Sequence, residues 1–148
     1  MEQSKLMNLY REMIVEFGRD PHNFGELENP SVTTELHNPS CGDVLVLQMD
    51  IDDSEIKQIK FSGSGCIISQ ASASMMTDLI QHKSLKEAKK LKLTFSKMIT
   101  DPDPNDLSEL GDAEILQGVR LFPARIKCAT LAWNALEKSI GKLEEDNG

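Results

Sequence analysis

Three cysteines and one aspartate are the residues of this chain whose types and positions best suit chemistry. Cys41 lies in a turn that contains proline and glycine, Cys66 lies where a glycine-interrupted segment meets a helix, and Cys128 lies in the opening turns of the last helix. Thiolates are nucleophiles and ligands for borderline cations such as Zn²⁺. If the three segments converge, zinc is the natural occupant, and Asp43, two residues after Cys41, is the candidate fourth ligand.

The surroundings of two cysteines favour the anionic form. Cys66 lies near unpaired N–H groups and the positive end of a helix dipole, which stabilise a thiolate. Cys128 has the basic neighbours Arg125 and Lys127, which favour the thiolate over the thiol. The alternative for a single cysteine is a small buried hydrophobic residue, and the alternative for the two basic residues is an exposed helix surface. Spacing alone therefore permits a metal site without proving one.

No common zinc or catalytic pattern accompanies these cysteines. The sequence has no Cys-x-x-Cys pair of the kind found in zinc fingers and ribbons. The histidines His22, His37 and His82 are scattered over a loop, a strand and the end of a helix, and none is a candidate ligand. A cysteine hydrolase needs a base beside its nucleophile, and no histidine is placed for that role. Hydrolysis is therefore disfavoured.

Composition limits the class of protein and its partners. The chain has 148 residues and a formal charge of −8, from 16 basic and 24 acidic residues. This length predicts one domain over residues 1–148, and the acidic balance disfavours nucleic acid and anionic membranes as partners. The sequence shows no secretory signal pattern and no apolar run near the roughly 20 residues of a membrane helix. With unpaired cysteines, these features predict a cytoplasmic protein.

The elements that must position the cysteines follow from hydrophobic periodicity. Apolar residues at three- and four-residue steps between Leu6 and Phe17 predict an amphipathic first helix that ends at Gly18, and residues 20–30 read as a loop. Runs rich in β-branched and aliphatic residues predict strands at residues 32–37, 43–51 and 56–61. Turn residues at both junctions predict that these strands pair as an antiparallel meander.

Helices are predicted to follow the sheet and cover it. Residues 62–66 contain two glycines and are expected to break the third strand, after which residues 68–79 show the spacing of a helix. Ser84 and Glu87 form a capping-box pattern that opens the next helix. The fold class predicted from this order is α+β, with a small three-stranded antiparallel sheet flanked by several helices.

The C-terminal third of the chain is predicted to be helical. A short helix is expected over residues 107–119, and Pro123 suits the first turn of the last helix. The acidic residues 144–148 at the end of that helix are expected to fray.

Three segments carry a resemblance to a known family. They are residues 38–43, Asn-Pro-Ser-Cys-Gly-Asp, residues 63–69, Gly-Ser-Gly-Cys-Ile-Ile-Ser, and residues 124–129, Ala-Arg-Ile-Lys-Cys-Ala. In this order and setting they resemble the SufU and IscU proteins and the N-terminal domain of NifU, which act in iron–sulfur cluster assembly. The resemblance spans nearly the whole chain, and it implies a small antiparallel sheet flanked by helices with the three cysteines at one end.

Two features place the resemblance on the SufU branch. The IscU branch has histidine immediately before the third cysteine, whereas this chain has Lys127. The SufU branch has an extra segment between the second and third cysteines, and residues 101–118 look like that segment. The SufU pattern implies zinc bound by four residues of this chain, which are Cys41, Asp43, Cys66 and Cys128.

The resemblance implies a zinc-dependent sulfurtransferase. Its partner is a pyridoxal-phosphate-dependent cysteine desulfurase, SufS-like, which supplies persulfide sulfur to Cys41, and a downstream iron–sulfur scaffold receives it. Arg125 and Lys127 are candidates to support the site or guide the partner, and residues 101–118 are either a partner-recognition lid or a tolerated surface insertion. One alternative is a scaffold that assembles and transfers a transient iron–sulfur cluster on the same cysteines. Another is a purely structural zinc protein.

Overall fold

A computed structural model describes residues 3–101 and 106–147 of the chain. The elements in chain order are α1 Gln3–Arg19, β1 Val32–Asn38, β2 Asp43–Asp52, β3 Glu55–Ser64, α2 Ile67–Ile80, α3 Leu85–Thr100, a 3₁₀ segment Ser108–Leu121 and α4 Pro123–Asn147. The strands form one antiparallel sheet in the order β1-β2-β3. The predicted α+β fold with a three-stranded antiparallel meander is therefore confirmed.

Strand alternation determines which polar residues are buried at one end of the sheet. In β2, Leu45, Leu47 and Met49 are buried, and the same two-residue period buries Asp43 at the first position of the strand. In β1 the corresponding period, through Val32 and Thr34, buries Asn38 at the last position. Asn38 and Asp43 are direct cross-strand partners. Two polar side chains therefore meet at the edge of the buried face of the sheet.

The third strand extends further than the sequence predicts. We expected residues 62–66 to break it after Phe61, but β3 continues to Ser64. Gly63 makes this possible, because it adopts a φ of +113° and a Cβ there would lie 2.0 Å from the carbonyl oxygen of Val44. The glycine thus lets two strands approach closely instead of ending one of them.

The other predicted boundaries differ by smaller amounts. Helix α1 passes Gly18 and ends at Arg19, and the predicted short helix is a 3₁₀ segment with a kink at Gly111, whose φ is +56°. Residues 102–105 of the predicted Asp-Pro segment lie outside the described residues. Helix α4 reaches Asn147, and the fraying of residues 144–148 stays a prediction, as do the single domain and the cytoplasmic location.

The core fixes α4 against α2 close to the third cysteine. Trp133 stacks on Phe95 with ring centroids 4.2 Å apart, and its indole N–H donates to the hydroxyl of Ser72 at 3.1 Å. That hydroxyl donates to the carbonyl of Ala129 at 2.6 Å. Since Ala129 follows Cys128 directly, this chain of contacts holds the cysteine in place. Within the described part of the chain, no helix combines the length and apolarity needed to cross a membrane.

Candidate metal centre

Three of the predicted ligands meet at the end of the sheet where β1 turns into β2. Ligand atoms of Cys41, Asp43 and Cys128 all lie within 4.8 Å of one another. The two sulfur atoms are 3.1 Å apart, and all three cysteines of the chain are free thiols. Asp43 and Cys128 are buried, whereas Cys41 is only partly buried. The cluster is therefore reached from solvent through Cys41.

A tight turn presents Cys41. Its backbone N–H donates to the carbonyl of Asn38 at 3.2 Å, which closes the connection between β1 and β2. Gly42 follows with a φ of +72°, a left-handed conformation that glycine adopts readily. This is the turn expected from the proline and glycine on either side of Cys41, and it places the Cys41 sulfur beside the Asp43 carboxylate.

Asp43 connects the sheet to the start of α2. Its Oδ1 accepts a hydrogen bond from the backbone N–H of Cys66 at 2.9 Å, and its Oδ2 accepts one from the side-chain amide of Asn38 at 3.3 Å. The Asp43 carboxylate lies so close to the backbone of residue 65 that a side chain there would be crowded, because a Cβ on Gly65 would lie 2.7 Å from Oδ1. The Gly-Ser-Gly-Cys motif thus provides room for strand β2 and for the carboxylate.

Cys66 is the N-cap of α2. It has extended backbone angles, and its sulfur accepts a hydrogen bond from the N–H of Ser69 at 3.5 Å. This position confirms the expected junction of a strand end with a helix N-terminus. Its sulfur lies outside the compact group formed by Cys41, Asp43 and Cys128, but its thiol contributes by hydrogen bonding to the raised pKa of Cys128.

Burial dominates the protonation of Cys128. It raises the pKa of this thiol, and hydrogen bonding with Cys41, Cys66 and Asp43 raises it further. Arg125 favours the thiolate, as expected of a basic neighbour, but in the site without a metal desolvation and the crowding of acidic groups outweigh it and raise the pKa of Cys128. A bound divalent cation would reverse this balance.

The two basic candidates behave differently. Arg125 is exposed but faces the cluster, since its hydrogen bond to Cys128, followed by the charges of Cys66, Cys128 and Cys41, raises the pKa of its guanidinium. Lys127 is exposed on the same helix, and its ammonium group pairs with none of the described residues. Of the two basic residues, Arg125 is therefore the one that interacts with the thiols.

Sequence reasoning missed Asn38, which contacts both Asp43 and Cys128. Its amide nitrogen is 3.3 Å from Asp43 Oδ2 and 3.7 Å from the Cys128 sulfur. The alternation of buried residues along β1 was the available signal, because it places position 38 on the face that Asp43 occupies.

Among the described residues, the compact group of possible ligands contains no histidine. His22 pairs with Asp78 at 2.5 Å, and His37 pairs with Glu35 at 2.7 Å. His82 follows α2 at the opposite end of the sheet.

The donor set fits a tetrahedral divalent cation. Around zinc with Zn–S bonds of about 2.3 Å, neighbouring ligand atoms are roughly 3.8 Å apart. This spacing lies between the 3.1 Å that separates the Cys41 and Cys128 sulfurs and the 4.8 Å that encloses the three-residue group. Thiolates and a carboxylate are ligands that zinc accepts. Cys66, one backbone hydrogen bond away from Asp43, is placed to supply the fourth ligand.

The fold and the cluster define a small α+β protein with a thiol–carboxylate site at one end of its sheet. The family model described as NifU-like N terminal domain matches residues 9–129. The zinc-dependent sulfurtransferase SufU of Bacillus subtilis is 46% identical over 144 residues, covering 97% of each chain. The iron–sulfur cluster assembly scaffold protein IscU of Streptococcus pyogenes is 46% identical over 140 residues, covering 95% of this chain and 87% of the relative.

Solved structures agree with this relationship. A protein described as an iron–sulfur cluster assembly scaffold protein for the SUF system, from Fervidobacterium islandicum, has a TM-score of 0.81 and 33% identity, covering 87% of this chain and 94% of the other. The N-terminal part of a NifU-like protein from Brucella abortus has a TM-score of 0.85 at 22% identity, covering 93% and 96%, which shows the fold alone. The chain belongs to the family of NifU-like N-terminal domains, and the resemblance to the SufU and IscU proteins of iron–sulfur cluster assembly is confirmed.

Proposed function

We propose that this protein is a zinc-dependent sulfurtransferase of iron–sulfur cluster assembly, which accepts persulfide sulfur from a cysteine desulfurase and stimulates that enzyme. The observation that carries the proposal is the convergence of Cys41, Asp43 and Cys128 within 4.8 Å, with Cys66 alongside. Lys127 in place of a histidine before the third cysteine supports the same reading. So does the similarity to a relative named as a zinc-dependent sulfurtransferase.

Four residues would hold the zinc ion: Cys41, Asp43, Cys66 and Cys128. Three thiolates and one carboxylate around Zn²⁺ give a net charge of 2 − 4 = −2. A zinc ion held by these residues would keep the thiols deprotonated despite the burial that raises the pKa of Cys128, and it would protect them from oxidation. Arg125, which already faces the thiols, offsets part of the surplus negative charge.

Cys41 is the sulfur acceptor because it is the least constrained of the three thiols. Cys128 is fully buried on α4, and Cys66 caps α2, so both are bound to rigid elements. Cys41 is partly exposed in a four-residue turn, so it can leave the cluster without unwinding a helix.

The transfer step resembles thiol–disulfide exchange. The Cys41 thiolate attacks the terminal sulfur of the partner's persulfide, a new S–S bond forms on Cys41, and the S–S bond of the donor breaks. The donor cysteine leaves as a thiolate, so the step needs no external oxidant or reductant. Removing the persulfide frees the desulfurase for its next turnover, which explains stimulation.

The two basic residues have separate roles in this proposal. Arg125 lies beside the thiols and attracts the anionic persulfide of the desulfurase, a SufS-like pyridoxal-phosphate enzyme. Lys127, exposed on the same helix, contacts the partner surface. A downstream iron–sulfur scaffold then receives the sulfur from Cys41.

Desulfurase turnover measured with matched variants tests the proposal. We expect purified wild-type protein to contain zinc at near-unit stoichiometry and to stimulate a cysteine desulfurase. Cys41→Ala should abolish stimulation, and Asp43→Ala should lower zinc content and stimulation together. Ser40→Ala, which changes an exposed residue of the same turn, is the control and should behave as wild type. Absence of zinc, or full stimulation by Cys41→Ala, would contradict the proposal.

A second candidate function is that of a scaffold, with an iron–sulfur cluster as cargo on the same cysteines. It is favoured by the similarity to a relative named as an IscU scaffold protein, which is 46% identical. Anaerobic reconstitution with iron and sulfide should then yield a cluster that moves intact to an acceptor apoprotein. If only zinc binds stably and no cluster is transferred, this second candidate is eliminated.

A further inference from the structure

Asn38 is a buried polar residue that neither the ligand set nor the sulfur-transfer step uses. Only 4% of its surface is exposed, although it is the last residue of β1 and lies beside a turn. A buried amide is costly unless its N–H groups have hydrogen-bond partners. The partners of Asn38 therefore indicate what keeps this residue at the site.

Both partners are proposed metal ligands. The amide nitrogen of Asn38 donates to Asp43 Oδ2 at 3.3 Å and to the sulfur of Cys128 at 3.7 Å. A carboxylate and a thiolate are acceptors only, so the nitrogen and not the oxygen of the amide must face them. One NH₂ group thus spans an oxygen ligand from β2 and a sulfur ligand from α4.

We propose that Asn38 is a positioning residue that fixes the two buried ligands, Asp43 and Cys128, and thereby leaves Cys41 as the ligand that exchanges. The inference rests on the proposed function, because it assigns an order to the release of its zinc ligands. Hydrogen bonds to ligands from a neighbouring shell of residues orient those ligands and tune the affinity for the metal.

Cys41 has fewer hydrogen-bond partners than Asp43, which indicates that Cys41 is the ligand that exchanges. Among the described residues no amide donates to the Cys41 side chain, and the one hydrogen bond of its sulfur is accepted from the Cys128 thiol at 3.1 Å. Its backbone is held by a single bond to the carbonyl of Asn38 within the turn. Asp43, by comparison, has a donor on each oxygen, from Asn38 and from the Cys66 backbone. Detaching Cys41 therefore breaks fewer contacts than detaching Asp43.

The negative charge of the proposed zinc site also supports a positioning role for Asn38. The proposed zinc site carries surplus negative charge, and Arg125 approaches it only from the exposed side. On the buried side, the two N–H dipoles of Asn38 are directed at Asp43 and Cys128. These dipoles compensate the charge of the two ligands that water cannot reach.

The test compares ligand release in zinc-loaded protein. Wild type, Asn38→Ala and Asn38→Leu are treated with limiting iodoacetamide, and peptide mapping identifies the cysteine that is alkylated first. Zinc release to a chromogenic chelator is timed in parallel. Asn38→Leu keeps the approximate size and shape of the side chain while removing the donor and adding no charge, so it remains informative if Asn38→Ala folds poorly. Thr34→Ala is the matched control, because it removes another buried polar group from the same face of β1.

In wild type and in Thr34→Ala we expect alkylation first at Cys41. In both Asn38 variants, alkylation of Cys128 should rise to match that of Cys41, and zinc affinity should fall about 10-fold or more. Variants of Asn38 that keep the wild-type order and rate of release would overturn this inference alone. A wild-type protein that binds no zinc or fails to stimulate the desulfurase would instead overturn the proposed function.

Discussion

The two ends of the sheet are held together by different kinds of groups. At the far end, formed by residues 52–56 and 80–87, backbone pairs with backbone. The N–H of Ile56 donates to the carbonyl of Lys83 at 2.9 Å, and the N–H of Leu85 donates to that of Ser54 at 3.0 Å. At the site end, formed by residues 38–43, 64–69 and the first turns of α4, backbone N–H groups donate to functional side chains. The N–H of Cys66, for example, donates to the Asp43 carboxylate.

Both ends also carry a helix cap in which side chains accept from backbone N–H groups, but the caps differ in the strength of the acceptor. Helix α3 begins with a capping box, in which Ser84 accepts from the N–H of Glu87 at 3.1 Å and Glu87 accepts from the N–H of Ser84 at 3.2 Å. Helix α2 begins instead with a sulfur, since Cys66 accepts from the N–H of Ser69 at 3.5 Å. A thiol is a weak acceptor, so the second cap is the weaker one. At the site end, the groups that stabilise the fold are also the proposed metal ligands.

Removal of the proposed zinc ion should have the largest effect on stability, and this effect should differ between the two ends of the sheet. Where free zinc is 1,000-fold above its dissociation constant, binding stabilises the fold by about 4 kcal/mol. We expect chelation to lower the free energy of unfolding by this order and to accelerate amide hydrogen exchange at Cys66 and Ser69. The amides of His82 and Leu85 at the far end should change much less. Equal acceleration at both ends would refute the contrast.

Gly63→Ala should be the most disruptive single substitution at the site end. The new Cβ would lie 2.0 Å from the Val44 carbonyl oxygen on a backbone with φ of +113°. We expect a loss of about 3 kcal/mol in the free energy of unfolding, measured by urea denaturation. Gly42→Ala is the matched control, because its φ is +72° but no atom lies within 4 Å of the added Cβ. A loss for Gly42→Ala as large as that for Gly63→Ala would show that φ alone, and not the close approach of the strands, matters.

These glycines illustrate how far the sequence predicts the fold. Alternation of apolar residues predicted the strands, and the Ser84 and Glu87 pattern predicted the start of α3, because both signals are local. The end of β3 was predicted wrongly because a glycine reads equally as a strand breaker or as a point of close approach. Only the position of Val44 on the neighbouring strand distinguishes the two.

The candidate site was predictable by residue type but not by environment. Cysteine chemistry and the family motifs indicated which residues to consider. The raised pKa of Cys128 was not foreseen, because it depends on burial and on neighbours from two other segments of the chain. Asn38 was missed because its contacts cross strands and reach α4. Such contacts depend on register and packing, which one sequence determines only through the complete fold.

Ser84→Ala should have a smaller effect that is confined to the far end. Loss of this N-cap costs about 1 kcal/mol in typical helices, and zinc content should not change. The hydrogen bond from the Ser84 backbone lowers the pKa of Glu87. The stabilisation from ionised Glu87 is therefore present above its ordinary pKa and disappears as pH falls through the lowered one. Urea denaturation of wild type and Ser84→Ala across this acidic range measures both effects. A change in zinc content with Ser84→Ala would mean that the two ends are coupled.

Cys66→Ser should have the smallest effect on the stability of the fold. The sign of that change shows whether the Cys66 sulfur is a weak helix cap. A serine hydroxyl is a stronger N-cap than a thiol, so the metal-free variant should be more stable than metal-free wild type by about 0.5 kcal/mol. Zinc affinity should fall because a sulfur ligand is lost, so the same substitution strengthens the helix and weakens the site. Thermal unfolding with and without chelator measures both effects. If the metal-free variant is instead destabilised, the Cys66 sulfur stabilises the fold mainly through its interaction with Cys128, and the site end does not depend on a weak cap.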